Sequence, residues 1–380
     1  MKCLIVIFGL TLLWKDALSE SCVTPLGERS NCISFYDCPQ LLSAFEQKPL
    51  QNNVIHFLKQ SQCGFAGFTP KVCCGPLPQT TASQTTPKPR PSPLPDLGQG
   101  IDPSTEADSY PEPRSSCGID NGDRIFGGQI TDLDEFPWMA LLGYRTKAGR
   151  LTYQCGGVLI NHRYVLTAAH CVIGAIETAV GKLETVRLGE YNLQTDVDCL
   201  GNDCADPLQE ILVEAAYPNP GFSDKKINRE DDIALVRLAR RARYSGFVQP
   251  ICLPDSNQRI SAGTSVYVAG WGKTLNGKSS QVKLKLGLPI YDKQDCVAMF
   301  RNLNALLTDK QICAGGTFAE DACKGDSGGP LMRQIQGGAW ESVAVVSFGN
   351  GCGRDGWPGV YTSVSSYIDW IKNTMRNTNT

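Results

Sequence analysis

The chain has 380 residues, 17 of them cysteines, and a formal net charge of -2 at pH 7. This length suffices for two or three domains, and the near-zero charge gives no electrostatic reason to expect a nucleic-acid partner. The 38 glycines and 23 prolines, with little helical periodicity, indicate β-rich domains with long loops. The cysteine content is typical of an oxidising compartment.

Residues 1–19 predict a secretory signal peptide. Lys2 precedes an apolar run from Leu4 to Leu13, and small residues near Ser19 offer a cleavage site. The run is too short to cross a membrane. We therefore expect an extracellular protein without a membrane partner. Removal of the signal also removes Cys3, which leaves an even number of cysteines.

Residues 20–74 predict a small domain held by disulfide bonds. Such a short segment cannot bury enough apolar surface to be stable by itself. A zinc site is the alternative, but secretion and the shortage of histidines argue against it. Six cysteines allow fifteen pairings, and spacing alone does not choose among them. The six are Cys22, Cys32, Cys38, Cys63, Cys73 and Cys74.

Residues 75–124 predict a linker that ends in an activation segment. Up to Ser116 the chain is rich in Pro, Ser, Thr and Gln and has almost no large apolar residues, so it cannot form a core. We expect an extended spacer, with an O-glycosylated stalk as an open alternative.

Three motifs in residues 125–380 supply, in chain order, a histidine, an aspartate and a serine. His170 ends an apolar run, Asp232 begins another, and Ser327 lies among glycines. A serine hydroxyl is a poor nucleophile until a base accepts its proton. The G-x-S-x-G pattern around Ser327 also fits an α/β-hydrolase elbow, but in those enzymes the histidine follows the serine. No histidine follows Ser327, so the base must precede it and a lipase or esterase is excluded.

These motifs and their order resemble the chymotrypsin and trypsin-like serine proteases. The cysteine block that ends in Cys73-Cys74 resembles the clip domain of arthropod members of that family. The resemblance implies a mainly β fold, with a double β-barrel catalytic domain, a C-terminal helix and a small disulfide-rich clip domain. An apolar repeat at helical spacing between residues 364 and 375 also favours the C-terminal helix.

The resemblance implies a role for each motif residue. Ser327 Oγ attacks the scissile carbonyl, His170 accepts and returns the proton, and Asp232 orients the imidazole. Asp231 is the rival carboxylate, although the match to Asp-Ile-Ala-Leu favours Asp232. The backbone N–H groups of Gly325 and Ser327 form the oxyanion site.

Substrate-binding residues follow from the same resemblance. Asp321 matches the base of the primary pocket, and Gly349 and Gly359 match its walls. Ala322 stands where trypsin has a serine, so we expect arginine to be preferred over lysine, because a guanidinium can pair bidentately with a carboxylate. Ser347 matches the serine that supports the triad carboxylate, with a simple strand-end hydroxyl as the alternative.

Arg124-Ile125 resembles the activation site of the family. Cleavage after Arg124 frees an amino group at Ile125, which is implied to fold inward and pair with Asp326. A buried ion pair of this kind requires both charges to be well placed. The resemblance therefore implies a zymogen, cut by an upstream protease with trypsin-like specificity.

The disulfide scheme is also implied by the resemblance. Seven pairs are implied, and the two cysteines left over, Cys199 and Cys204, are close enough in the sequence to close one loop. The implied pairs are Cys22–Cys73, Cys32–Cys63, Cys38–Cys74, Cys117–Cys252, Cys155–Cys171, Cys296–Cys313 and Cys323–Cys352.

The loop from residue 188 to 198 resembles the calcium loop of trypsin-like proteases. Glu190 and Asp198 offer carboxylates, while Asn192 and Thr195 offer carbonyl oxygens. Calcium is bound by oxygen ligands of this kind, so the resemblance implies a structural Ca²⁺, with an acidic solvated loop as the open alternative. The basic run from Arg237 to Arg243 is expected to be a solvated face.

The sequence thus predicts a secreted, clip-domain, trypsin-like serine endopeptidase zymogen that cuts after arginine and needs no cofactor for catalysis. The resemblance implies an extracellular immune cascade of the haemolymph, in melanisation or Toll signalling. Implied partners are an upstream protease, prophenoloxidase or a Spätzle-like proligand as substrate, and a serpin inhibitor. The alternative is a non-catalytic clip-domain cofactor, against which the intact triad argues.

Overall fold

The computed structural model describes most of the chain after residue 20. Arg124, Ile125, Asp321, Gly325 and the implied Cys323–Cys352 pair lie outside the described residues, as do the signal peptide and most of the linker. In the described part of the chain no helix is long and apolar enough to span a membrane. The described residues are 21–46, 57, 60–66, 69–76, 107–120, 129–200, 203–273, 279–316, 326–351, 354 and 356–378.

The N-terminal region is a four-stranded antiparallel sheet with one helix. Its buried apolar cluster is small and centres on Leu41, Phe57 and Val72, so disulfide bonds must supply much of its stability. The disulfides are Cys22–Cys73, Cys32–Cys63 and Cys38–Cys74, the three pairs that the resemblance implies. The strands, in the order β1-β2-β4-β3, are β1 (Ser21–Val23), β2 (Arg29–Ser34), β3 (Gln62–Ala66) and β4 (Thr69–Cys73), and the helix is α1 (Pro39–Glu46).

Six strands then close a first barrel in the order β12-β13-β8-β7-β6-β9. A short hairpin of β10 (Cys199–Leu200) and β11 (Asp203–Cys204) lies outside it and is closed by the Cys199–Cys204 disulfide. The other elements of this half are β5 (Gln129–Ile130), β6 (Met139–Arg145), β7 (Leu151–Leu159), β8 (Tyr164–Thr167), α2 (Ala175–Ala179), β9 (Lys182–Leu188), β12 (Gln209–Pro218) and β13 (Ala234–Leu238).

The second half is a seven-stranded sheet in the order β16-β19-β18-β17-β14-β15-β5, followed by the C-terminal helix. The mainly β fold with its C-terminal helix is therefore confirmed. Its elements are β14 (Ser265–Gly270), β15 (Leu284–Pro289), α3 (Lys293–Arg301), β16 (Gln311–Gly315), β17 (Pro330–Gln334), β18 (Trp340–Phe348), β19 (Pro358–Ser363) and α4 (Ile368–Thr378).

One large apolar cluster spans both halves, and the second half has separate clusters of its own. Successive side chains of a strand point to opposite faces, and those of β18 are buried on both. Trp340 of β18 contacts Phe136 and Tyr267 edge-on, at centroid distances of 5.1 and 5.4 Å, and so joins the barrel to the sheet. Helix α4 buries Ile368 and Met375 in the same cluster. This packing places the ends of β8, β13 and β17 next to one another.

Candidate active site

His170 and Asp232 are joined by two hydrogen bonds. His170 lies in a short 3-10 turn directly after β8, and Asp232 precedes β13, the strand paired with β8. The ring nitrogen Nδ1 of His170 lies 2.8 Å from Asp232 Oδ2, and the backbone N–H of His170 donates to Oδ1 at 2.9 Å. Both carboxylate oxygens are therefore used to fix the imidazole.

Asp232 is fully buried and accepts a further hydrogen bond. The hydroxyl of Ser347, at the end of β18, donates to Oδ2 at 2.5 Å. Burial alone would raise the pKa of Asp232, but the charge and hydrogen bonds of His170, with the Ser347 bond, together hold it below its usual value. Asp232 is therefore ionised at neutral pH, as an aspartate that orients a histidine must be.

The nucleophile loop is pinned by backbone hydrogen bonds to both halves. Gly156 N–H donates to Ser327 O at 2.8 Å, and Gly328 N–H donates to Val346 O at 2.9 Å. Gly328 has a φ of +80°, and a Cβ added there would lie 2.2 Å from Thr167 Oγ1 and 2.6 Å from Gly156 O. Only glycine fits this position.

Thr167 and Gly156 are supporting residues that the sequence reasoning missed. Thr167 Oγ1 donates to Gly156 O at 2.8 Å, directly beneath the loop that carries Ser327. The position of Thr167, three residues before His170 in an apolar run, was the signal available in the sequence. Among the described hydrogen bonds none joins Ser327 Oγ to His170, a bond that often tightens only with substrate bound.

Asp326 lies against the backbone at the end of β14. Gly272 N–H donates to Asp326 Oδ1 at 2.9 Å. A Cβ added at Gly272 would lie 2.1 Å from Oδ2, and one at Gly270 would lie 2.3 Å from Oδ1. The two glycines therefore leave room for the carboxylate, and in the uncut chain Asp326 is held here.

Of the residues predicted to form the primary pocket, the structure describes Gly349 and Gly359. Gly349 follows β18, and Gly359 is buried in β19, the neighbouring strand. Phe348 packs edge-on against Phe300 at a centroid distance of 5.8 Å. The two predicted wall residues are thus brought to adjacent strands, while Asp321 and Gly325 lie outside the described residues.

Residues 107–120, which we call the strap, lie against the protease domain. The Cys117–Cys252 disulfide joins them to it. Arg241 pairs with Asp108 at 2.5 Å, and Tyr244 OH donates to Glu112 Oε1 at 2.8 Å. The expectation of a solvated basic run is therefore wrong for Arg241, which the strap partly covers, and for Arg237, which is largely buried and pairs with Glu214 at 3.3 Å.

The predicted calcium-loop residues lie close together and are largely buried. Burial and the Asp198 carboxylate raise the pKa of Glu190, and Arg187 only partly offsets this. Asp198 Oδ2 accepts from the backbone of Tyr191 and Asn192 at 3.2 and 3.0 Å. Thr195 also donates to Asp198. Arg187 Nη1 donates to Glu190 Oε2 at 3.0 Å, so one cation already faces the two buried carboxylates. The structure thus brings together the oxygen atoms that the sequence predicts as Ca²⁺ ligands.

Two cysteine sulfurs near His170 do not form a metal site. Cys155, Cys171 and His170 place potential ligand atoms within 4.8 Å of one another. Cys155 and Cys171 are, however, joined by a disulfide bond. Metal binding by cysteine requires the thiolate, so this cluster is structural. The Cys296–Cys313 disulfide that the resemblance implies is also present.

Two family models match this chain. The model described as Trypsin matches residues 125–371, and the model described as Regulatory CLIP domain of proteinases matches residues 22–74.

Relatives match over nearly the whole length. Phenoloxidase-activating enzyme 1 of Spodoptera litura is 60% identical over 376 residues, which is 99% of each chain. CLIP domain-containing serine protease B9 of Anopheles gambiae is 43% identical over 376 residues, covering 94% of this chain and 93% of that protein. The crystal structure of the Drosophila Grass clip serine protease of the Toll pathway aligns with a TM-score of 0.60 at 29% identity, covering 94% of this chain and 97% of that chain.

Proposed function

Because the chain belongs to the trypsin family of serine proteases and carries a regulatory clip domain, we propose that it is a secreted zymogen of an arginine-specific endopeptidase. The observation that carries the proposal is the buried Asp232. It binds His170 through both carboxylate oxygens and accepts a hydrogen bond from the hydroxyl of Ser347. Ser327 follows in the adjoining loop, where it is pinned to both halves of the domain.

In this reaction Ser327 Oγ attacks the scissile carbonyl while His170 accepts the hydroxyl proton. His170 then protonates the leaving amine, and Asp232 stabilises the imidazolium. The N–H groups of Gly325 and Ser327 donate to the developing oxyanion, at about 3 kcal/mol per donor. In the second half of the reaction a water molecule attacks the acyl-enzyme while His170 accepts its proton. His170 then returns the proton to Ser327 Oγ, and the acyl group leaves as a carboxylic acid.

Activation follows cleavage after Arg124. The new ammonium at Ile125 pairs with Asp326, whose two carboxylate oxygens have room for this donor as well as for the N–H of Gly272. Since the change occurs next to Ser327, it orders the oxyanion loop and the primary pocket together.

The substrate is a protein cut after arginine in an extracellular cascade. Asp321 at the base of the pocket pairs with the guanidinium of the substrate, and Ala322 removes the hydroxyl that would favour lysine. Identity of 60% over nearly the full chain to a phenoloxidase-activating enzyme supports prophenoloxidase as the substrate. An upstream protease of similar specificity cuts Arg124, and a serpin ends the activity.

A structural Ca²⁺ completes the loop that contains Glu190 and Asp198. The ion would neutralise the two buried carboxylates, with carbonyl oxygens of Asn192 and Thr195 and water as further ligands. It takes no part in catalysis.

The test is to cut the purified zymogen after Arg124 with a surrogate protease and to assay peptide substrates with Arg, Lys or Phe at the cleaved position. Activity should appear only after cutting and should be highest on Arg. Ser327→Ala should be inert after the same cut, and Arg124→Ala should stay inactive. A cut wild-type protein silent on all three peptides would favour the alternative of a non-catalytic clip-domain cofactor.

A second assay addresses the substrate. The cut enzyme is added to purified prophenoloxidase, and phenoloxidase activity and the N-terminus of the product are measured. An unprocessed prophenoloxidase alongside full peptide activity would contradict the substrate assignment while leaving the protease assignment in place.

A further inference from the structure

We propose that Asp231 is a positioning residue of the triad, which fixes the His170–Asp232 pair relative to the half of the domain that carries Ser327. The inference rests on the proposed serine protease activity. It assigns a function to the carboxylate that the sequence left as the rival of Asp232.

The backbone at Asp231 places Asp232 at the centre of a tight turn. Asp231 has a φ of 59°, in the left-handed region, which Asp and Asn occupy more readily than other non-glycine residues. Ile233 N–H donates to Asp231 O at 2.8 Å and closes a three-residue turn around Asp232. The direction in which the Asp232 side chain leaves the backbone therefore depends on the conformation of Asp231.

The side chain of Asp231 is buried and anchored to the second half of the domain. Its Oδ1 accepts from Tyr367 OH at 2.8 Å and from Lys310 Nζ at 2.9 Å. Lys310 directly precedes β16, and Tyr367 lies in the 3-10 turn between β19 and α4. Asp231 itself belongs to the loop that leads into β13 of the barrel.

The same part of the second sheet also holds the backbone of Asp232. Thr362 in β19 donates through Oγ1 to Asp232 O at 2.9 Å, and Ser363 N–H donates to Lys310 O at 2.9 Å. The turn is thus fixed at two points to strands that are continuous with β18, which supplies Ser347. The Asp231 side chain supplies the first of these two points, and the Thr362 side chain supplies the second.

The consequence concerns turnover rather than substrate binding. His170 and Asp232 come from barrel elements, whereas Ser327 precedes β17 of the second sheet. Loss of the Asp231 anchor leaves the His170–Asp232 pair intact and still in contact with Ser347 and Thr362. It frees the left-handed residue of the turn, so that the pair can shift relative to Ser327. Misplacement of about 1 Å between catalytic groups can cost about 100-fold in rate.

The test compares Asp231→Ala with Asp231→Asn in the cut enzyme. Asparagine keeps an acceptor for Tyr367 and tolerates the left-handed backbone, whereas alanine does neither. Asp292→Ala is the matched control, because it removes a carboxylate that caps α3 through the N–H groups of Gln294 and Asp295. For each variant kcat and KM on the arginine peptide, the inhibition constant of benzamidine and the melting temperature are measured.

We expect Asp231→Ala to lower kcat by about 10- to 100-fold, with KM and benzamidine binding unchanged within about twofold. Asp231→Asn should restore kcat to within about threefold of wild type, and Asp292→Ala should leave kcat unchanged. If Asp231 had a purely structural role, Asp231→Ala and Asp292→Ala would lower the melting temperature alike, and Asp231→Ala would not lower kcat selectively while leaving KM unchanged. That result, or an Asp231→Ala enzyme with wild-type kcat, would overturn the inference.

Tyr367→Phe keeps the inference testable if Asp231→Ala does not fold. It removes one hydroxyl and should lower kcat with KM unchanged, and an unaltered kcat would count against the anchor. A silent wild-type enzyme would overturn the proposed function and the inference with it. An active wild type with unaffected variants would overturn the inference alone.

Discussion

Replacing Gly328 with alanine tests whether the loop that carries Ser327 is held by steric fit. A Cβ at this position would lie 2.2 Å from Thr167 Oγ1 and 2.6 Å from Gly156 O, and the backbone φ is +80°. Gly337→Ala is the matched control. Gly337, in the turn between β17 and β18, has a φ of +90°, but an added Cβ there meets nothing within 4 Å.

The expected cost follows from these two geometries. The left-handed backbone costs a non-glycine residue about 1–2 kcal/mol, and both substitutions incur it. Overpacking against fixed backbone adds about 1–3 kcal/mol at Gly328 alone. In a domain of this size each kcal/mol lowers the melting temperature by about 2–4 °C. Gly328→Ala should therefore lose about 4–20 °C and Gly337→Ala about 2–8 °C.

The assay is thermal unfolding of both variants as uncut chains, followed by measurement of peptidase activity after cleavage at Arg124. Gly328→Ala should also lose activity, because relief of the contact displaces the neighbouring Ser327, whereas Gly337→Ala should keep it. Equal losses of melting temperature in the two variants, or an active Gly328→Ala enzyme, would refute the steric argument.

Three further predictions concern acid stability, the strap and calcium. Because the pKa of Asp232 is lowered on folding, its contribution is complete above about pH 5 and is lost as the pH falls through the folded pKa. Ser347→Ala should cost about 1.5–3 kcal/mol at pH 7 and progressively less in acid, and an equal cost in melting experiments at pH 3 and 7 would contradict this. The double variant Cys117→Ser and Cys252→Ser, cut after residue 124, should keep the N-terminal fragment bound in gel filtration, because the ion pair and hydrogen bonds of the strap remain. Loss of the N-terminal fragment would show that the disulfide alone holds the strap. Ca²⁺ should raise the melting temperature of wild type but not of Glu190→Gln, and an equal rise in both would exclude Glu190 as a ligand.

Much of the candidate site could be predicted from local sequence because the chemistry restricts the residue types. A serine nucleophile needs a base and an orienting carboxylate, and the chain contains few histidines. The order of His170 and Ser327 was sufficient to exclude an elbow hydrolase. Fold class followed from composition and from the resemblance, since β-rich segments, a C-terminal apolar repeat and a cysteine block are properties of the sequence alone.

The match to Asp-Ile-Ala-Leu favoured Asp232 as the triad carboxylate, but the contacts of Asp231 required the tertiary structure. The two carboxylates are neighbours with the same chemistry, and only the left-handed backbone of Asp231 sends one toward His170 and the other toward Tyr367. The partner of Arg241 could not be predicted from the sequence either, because Asp108 lies 133 positions away. Sequence by itself determined which reactive groups this protein possesses. Only the packing of the barrel against the second sheet decided their partners, because hydrogen bonds and burial depend on distances that the linear order of residues does not contain.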